Sequence, residues 1–285
     1  KRGALKAPGQ WNHERVTVHG PLLKIEVNGQ EVLNTNLDEM AAKFPDHQGV
    51  KRRAGHIAFL GHGDRVMFRK VRIAELAPEV NAAAIQAAGY RSLFDGKSLS
   101  GWKHSPDTRN WSASHGILKH TGQSGPINDL WTEKSYRNFT LVFDWRWSGR
   151  GPLKQQPAVQ PDGTENGTVE IEEFDSGVYL RGNTKSQVNL WNWPIGSGEV
   201  YGYRTDRSMS AEVRAGVTPK SAEDRPIGEW NRTKITLKDD LLSVELNGVT
   251  VINEAQLPGI PADGALGLQH HGSAIDFANL WIKEL

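Results

Sequence analysis

The chain has no cysteine in 285 residues, which excludes disulfides, thiolate metal sites and a cysteine nucleophile together. Methionine is scarce, at three. Net charge is nearly absent as well: 34 Lys and Arg stand against 33 Asp and Glu, for a formal charge of +1. No global field favours a polyanion, so no nucleic-acid partner is expected. No run approaches the roughly 18 apolar residues that span a bilayer, so no membrane span is expected. The basic start Lys1-Arg2-Gly3 is not followed by an apolar signal core. Helical periodicity is confined to residues 37–43 and to an Ala-rich stretch over 78–88. No Walker loop, Gly-x-Gly-x-x-Gly turn, His-Glu-x-x-His helix or Gly-x-Ser-x-Gly elbow occurs, so nucleotide, zinc-protease and Ser-His-Asp chemistries fall away.

What is present in quantity is tryptophan and glycine, ten and 30 residues against five tyrosines. A rigid indole can cover the C–H face of a sugar ring, and it can equally fill a core.

The end of the chain is written twice. Gly9-Gln10-Trp11-Asn12, the run 22–27, Asn28-Gly29, Gly61-His62-Gly63 and the run 68–76 return as Gly228-Glu229-Trp230-Asn231, 241–246, Asn247-Gly248, His270-His271-Gly272 and 277–285. Trp11 and Trp230 lie 219 residues apart, as do Gly29 and Gly248, while His62 and His271 lie 209 apart. The first copy therefore carries ten more residues between these landmarks, around 34–53. Residues 90–227 precede the second copy, whereas eight residues stand before Gly9 in the first. The expected organisation is the C-terminal part of a first β-sandwich over 1–76, a linker with a short helix over 77–89, and a complete sandwich over 90–285. A half-sandwich leaves sticky strand edges, so an N-terminal fragment of a longer parent chain, or a partner chain, is expected to complete the first copy.

Strand signals dominate: short alternating runs at 15–18, 22–27, 56–60, 66–73, 138–147, 178–181, 187–191, 233–237, 241–246, 265–270 and 275–282, bounded by Gly, Asn, Asp or Pro. Asn28-Gly29 and Asn247-Gly248 suit type I′ hairpins, whose central residues need positive φ. Residues 149–167 and 194–228 lack periodicity and read as loops decorating one edge of a sandwich. In 141–147, Leu141, Phe143, Trp145 and Trp147 alternate with Val142, Asp144 and Arg146, which predicts one core face and one polar face. Gln187, Asn189 and Trp191 likewise share a face, opposite Val188 and Leu190.

Leu93-Phe94-Asp95-Gly96-Lys97-Ser98-Leu99-Ser100-Gly101-Trp102 resembles the opening of the 3-keto-disaccharide hydrolase family, formerly the domain of unknown function numbered 1080. The likeness continues through Leu130-Trp131-Thr132-Glu133-Lys134, 138–147, Ser176-Gly177-Val178-Tyr179-Leu180-Arg181-Gly182 and the closing 264–285. The resemblance implies an antiparallel jelly-roll β-sandwich of the concanavalin A type and an exported protein, periplasmic or extracellular. It also implies action on glycosides oxidised at C3, by elimination and hydration or by hydrolysis. A C3 ketone acidifies the neighbouring C2–H, so the chemistry asks for a base there, a donor or a divalent metal at the ketone, and an acid at the leaving oxygen.

Candidate catalytic residues are Glu133, His271 and Arg181; candidate sugar-binding residues are Asp144, Gln187, Asn189, Trp191 and Trp193. Each has a structural alternative: an ion pair for Arg181, an exposed carboxylate for Glu133, and a shared structural role for His271, whose counterpart His62 recurs. The acidic run Glu170, Glu172, Glu173 and Asp175 can bind a cation, but matches no calcium loop and reads equally as a solvated strand. A non-catalytic carbohydrate-binding or assembly module, or an interaction protein completed by a partner's strands, stands beside the enzyme reading.

Overall fold

The computed structural model describes residues 3–52, 55–103, 109–123, 125 and 128–285. The chain divides into two compact units, Lys1–Glu79 and Val80–Leu285.

In the first unit, β1 (Glu14–His19), β2 (Leu22–Val27) and β3 (Gln30–Asn36) form an antiparallel meander in that order. The β2–β3 turn is Asn28-Gly29, at φ 51° and 79°. Helix α1 (Leu37–Lys43) is capped by Asn36, whose side chain accepts from the Asp38 amide at 2.9 Å, and α2 (Gln48–Lys51) follows. Residues 56–60 and 66–73, expected as strands from their alternation, form none. Alternation sets which side of a segment is apolar, but a strand also needs a hydrogen-bonding neighbour. No ladder among the described residues includes either segment.

The second unit opens with α3 (Ala82–Ala87), capped by Asn81, whose side chain accepts from the Ala84 amide. Then come β4 (Arg91–Ser92), β5 (Trp102–Lys103), β6 (Trp111–Ser114), β7 (Ile117–Thr121), β8 (Leu130–Tyr136) and β9 (Phe139–Trp147). They are followed by β10 (Leu153–Val159), β11 (Glu165–Glu172), β12 (Asp175–Leu180) and β13 (Asn183–Trp191). Two short helices, α4 (Tyr201–Arg204) and α5 (Ala211–Gly216), lead to β14 (Asn231–Lys238), β15 (Leu241–Leu246), β16 (Val249–Gln256), β17 (Gly264–Leu268) and β18 (Ala274–Glu284).

These strands make an antiparallel β-sandwich. One sheet has the order β13-β12-β17-β8-β5; the other runs β16-β15-β14-β9-β18-β7-β6, with β4 also on β18. Leu141, Phe143, Trp145 and Trp147 of β9 meet Val178, Leu180, Val188 and Leu190 of the facing sheet in one buried core. Each such side chain contributes about 1.5–3 kcal/mol on burial. Residues 149–167 and 194–228, expected as loops, hold the β10–β11 hairpin and the two helices instead. In 153–159 and 165–172 a long polar hairpin is stabilised by cross-strand pairing rather than by an apolar face, so alternation gave little sign of it.

Arg181 proves structural. It forms, with Gly182, the β12–β13 turn at φ 52° and 67°. Its guanidinium turns back to donate to the carbonyls of Arg137 (2.7 Å), Asp239 (2.7 Å) and Pro261 (3.0 Å) and to Asn138 Oδ1 (3.1 Å). Four acceptors occupy four of its five N–H donors, and at 3% exposure the guanidinium is buried among them rather than open to a sugar. Removing it strands carbonyls from three segments, so Arg181→Ala is expected to lower stability by about 3 kcal/mol. Chemical denaturation measures the loss, and any turnover by the remaining folded protein is expected to keep its KM.

Candidate functional site

The side of the β13-β12-β17-β8-β5 sheet that faces away from the core carries a cluster of acidic, aromatic, amide and histidine side chains. Alternation in β12 sends Val178 and Leu180 inward and Asp175, Gly177 and Tyr179 outward. Register places Gln187 opposite Tyr179 and Asn189 opposite Gly177. Beyond β17 the chain keeps pairing with β12: the Gln269 amide donates to Gly177 O at 2.9 Å, and the Asp175 amide donates to Ser273 Oγ at 3.0 Å. His271 is thereby carried to Asp175.

Two glycines make room on this face. A Cβ at Gly267 would meet the Trp131 ring at 2.8 Å, so glycine lets the indole lie flat on the sheet. There Trp131 stacks on Tyr179, centroids 5.3 Å apart and planes 10° from parallel. A Cβ at Gly177 would meet the Gln187 side chain at 2.3 Å. Gln187 lies across that gap and donates to Gln269 Oε1 at 2.6 Å.

At the other end, His271 Nδ1 stands 3.4 Å from Asp175 Oδ2, with the histidine half exposed. Burial pushes the Asp175 carboxyl up to about 6, against the pull of His271; Glu173 raises it further. Glu173 is itself held by Lys154 and Gln156 of the β10–β11 hairpin. Burial also raises Asp129, whose Oδ1 accepts from the His270 amide at 2.8 Å. The Tyr179 phenol is pushed up to about 12, by burial first and by Asp129 next, so it stays a neutral donor.

Of the expected site residues, His271 and Gln187 belong to this cluster, and the others do not. Glu133 is exposed in a β8 irregularity between Trp131 and Ser135. It lies four residues from Asp129, about 13 Å along an extended strand. Asp144 is on the outside of the other sheet, where Arg232 Nε (2.7 Å), Arg232 Nη2 (2.9 Å) and Asn279 Nδ2 (2.7 Å) saturate it. Asn189 is buried beside the segment that follows β13, its backbone N–H donating to Glu199 O. Trp191 is 2 % exposed, donates to Gly196 O at 2.7 Å and lies flat on Trp193 at 4.2 Å, so it has no face for a sugar. Trp193, half-buried, gives one face to Trp191 and meets the Tyr201 edge.

Asp175 was read only as part of an acidic run able to bind a cation, and Asp129, Tyr179, Gln269 and Trp131 were not among the candidates. Beginning the strand at Asp175 rather than Val178 would have put Asp175 and Tyr179 on one face. Among the described residues, no group of three or more His, Asp or Glu side chains is arranged to hold a metal ion. Also among them, no helix is long and apolar enough to cross a membrane.

Residues 1–74 and 89–283 match the family described as the 3-keto-alpha-glucoside-1,2-lyase-like domain. The chain belongs to that family. It is 23% identical over 242 residues to a 3-keto-disaccharide hydrolase of Bacteroides thetaiotaomicron, covering 70% of this chain and 80% of that protein. A crystal structure provisionally assigned as a glycosyl hydrolase from Parabacteroides distasonis is 22% identical, with a TM-score of 0.48, over 72% of this chain and 98% of that one. The carbohydrate binding module CBM66 from Bacillus subtilis is 14% identical, with a TM-score of 0.41, over 66% and 98% of the two chains.

Behind the site, His270 turns from His271 toward His120, rings 4.5 Å apart. Burial lowers His120 from 6.5 to about 4. An unfolded chain protonates this group below about 6.5 while the folded one does not, so its contribution to stability is lost as pH falls from 6.5 toward 4. Urea unfolding of wild type and His120→Phe between pH 7 and 4 should show wild type losing stability relative to the variant; parallel curves would contradict a buried neutral imidazole.

Proposed function

We propose that the second unit of this carbohydrate-active family member cleaves 3-keto-glycosides by elimination followed by hydration. The observation that carries the reading is the pairing of a desolvated carboxyl, Asp175 near pH 6, with the half-exposed imidazole of His271 at the edge of an aromatic and amide-lined face. A carboxylate of raised basicity suits a C–H acidified by a ketone, since proton transfer is most effective when the base titrates near the working pH.

Asp175 takes the C2 proton. The electron pair of that bond becomes the C1–C2 double bond as the C1–O bond breaks, and protonated His271 gives its proton to the departing oxygen. Negative charge that gathers on the C3 oxygen is met by neutral donors of the Tyr179 phenol and the Gln187 and Gln269 amides. Water then adds at C1, giving its proton to His271, and Asp175 returns the C2 proton, which yields the free 3-keto sugar and restores both side chains. No oxidant or reductant is consumed. The Trp131–Tyr179 platform supports the sugar ring through its apolar face.

The test is incubation of the purified protein with a 3-keto-disaccharide, with and without chelator, following the free 3-keto sugar or the unsaturated elimination product. Wild type is expected to turn over with kcat/KM rising as pH passes about 6 and Asp175 ionises. Asp175→Asn and His271→Gln should each cost about 10²–10⁴-fold in kcat, with smaller effects on KM. Glu133→Gln should leave kcat unchanged. Binding of plain oligosaccharides without turnover of any 3-keto substrate would overturn the reading in favour of a binding module.

A further inference from the structure

We propose that Asp129 selects the sugar: its second carboxylate oxygen accepts a hydrogen bond from the C6 hydroxyl of the ring on the Trp131–Tyr179 platform, so the site takes 3-keto hexosides whose C6 hydroxyl is free. The inference rests on the catalytic reading, which puts C2 at Asp175 and C1 at His271.

Asp129 directly precedes β8. Leu130 is buried in the core and Trp131 lies on the outer face, so alternation carries Asp129 to the side of Trp131. Trp131 pairs with Gly267 and Leu130 with Leu268, and the next step of that register brings Asp129 opposite Gln269. The His270 amide, donating to Asp129 Oδ1 at 2.8 Å, holds the two segments together there. On the far side of Gln269 lies Gly177, whose carbonyl accepts from the Gln269 amide at 2.9 Å, and Asp175 stands two residues from it along β12. Asp129 and Asp175 therefore flank one face, with Gln269 and Gly177 between them and their backbones about 12 Å apart by strand spacing and rise.

The steps assigned to Asp175 and His271 give Asp129 no part. Its Oδ1 is taken by the His270 amide, and among the described residues no N–H or O–H donates to its Oδ2. The side chain is half-buried, and it stands close enough to Tyr179 that, after burial, its charge is what raises the phenol most. A carboxylate with one oxygen fixed and one oxygen open, at the rim of two stacked rings, is matched to an alcohol on a pyranose. The hydroxyl supplies the donor that the oxygen lacks, while the C–H face of the ring covers the aromatic plate.

Ring geometry decides which hydroxyl. C1 and C2 are neighbours, and C5, the carbon that carries C6, stands across the ring from C2. With C1 at His271, C2 at Asp175 and the C3 oxygen at the Tyr179 phenol and the Gln187 amide, the C5 end faces back across Gln269 to Asp129. The C6 hydroxyl extends from that end.

The test compares a 3-keto-glucoside with its 6-deoxy counterpart. Wild type is expected to favour the parent about 10- to 100-fold in kcat/KM, the range of a hydrogen bond to a charged acceptor. Asp129→Ala should remove that preference by slowing the parent alone. If that variant does not fold, Asp129→Asn, which keeps an oxygen for the His270 amide, should lose part of the preference in the same way. An Asp129 that only holds the His270 amide would slow both substrates equally; that result, or a wild type that treats the two alike, would overturn the proposal. Calorimetry on Asp175→Asn, expected to bind without turnover, separates this question from the catalytic one. The parent should bind it about 10- to 100-fold more tightly than the 6-deoxy sugar, and adding Asp129→Ala should make the two affinities equal. That pattern sustains the role of Asp129 even if wild type turns over neither substrate, whereas equal affinities for Asp175→Asn, or no binding of either sugar, would overturn it.

Discussion

The double pairing of β9 is the constraint on which the rest of the second unit depends. β14 runs along one edge of it from Phe139 to Trp145, and β18 along the other from Phe139 to Trp147. With both edges bonded, the strand presents Leu141, Phe143, Trp145 and Trp147 inward as one apolar row. Its outward polar residues are closed by Arg232 on Asp144 and by Asp276 on Arg146. These ion pairs let a central strand carry charges on its outer side without leaving them unpartnered.

A smaller sheet packs on that row, and its outer face carries the Asp175–His271 pair and the Trp131–Tyr179 stack. The face is shaped by absence as much as by presence: Gly267 lets Trp131 lie flat, and Gly177 leaves a channel for Gln187. Either glycine replaced by alanine would displace a side chain the site uses. The electrostatics follow from the same packing. Covering Asp175 raises its basicity, while His271 beside it stays half exposed.

Much of the fold was legible because its signals are local. The alternation of 141–147, the Asn-Gly turns at 28–29 and 247–248, and the helical period of 37–43 each depend on residues within one or two turns of chain. The site was legible only in part. His271 was singled out from its motif and Gln187 from its face, and both lie in the cluster outside the β13-β12-β17-β8-β5 sheet. Trp191 was misread because a tryptophan near a proline looks the same whether a sugar or Trp193 covers it. Arg181 was misread because the carbonyls it holds lie 44, 58 and 80 residues away. Residues 56–60 and 66–73 carry strand alternation yet form no strand, because their partners are not a property of the segment itself.

By itself the sequence determined the strand periods, the turn chemistry, the family and the exclusion of thiol chemistry, since each is written in neighbouring residues or in composition. Tertiary structure decided which polar groups remain available. Asp144, Arg181 and Asp175 are all charged residues in or at the end of strands, but distant partners consume the first two, and burial beside His271 tunes the third. That distinction rests on desolvation and on long-range hydrogen bonding, which exist only once the sheets have closed on one another.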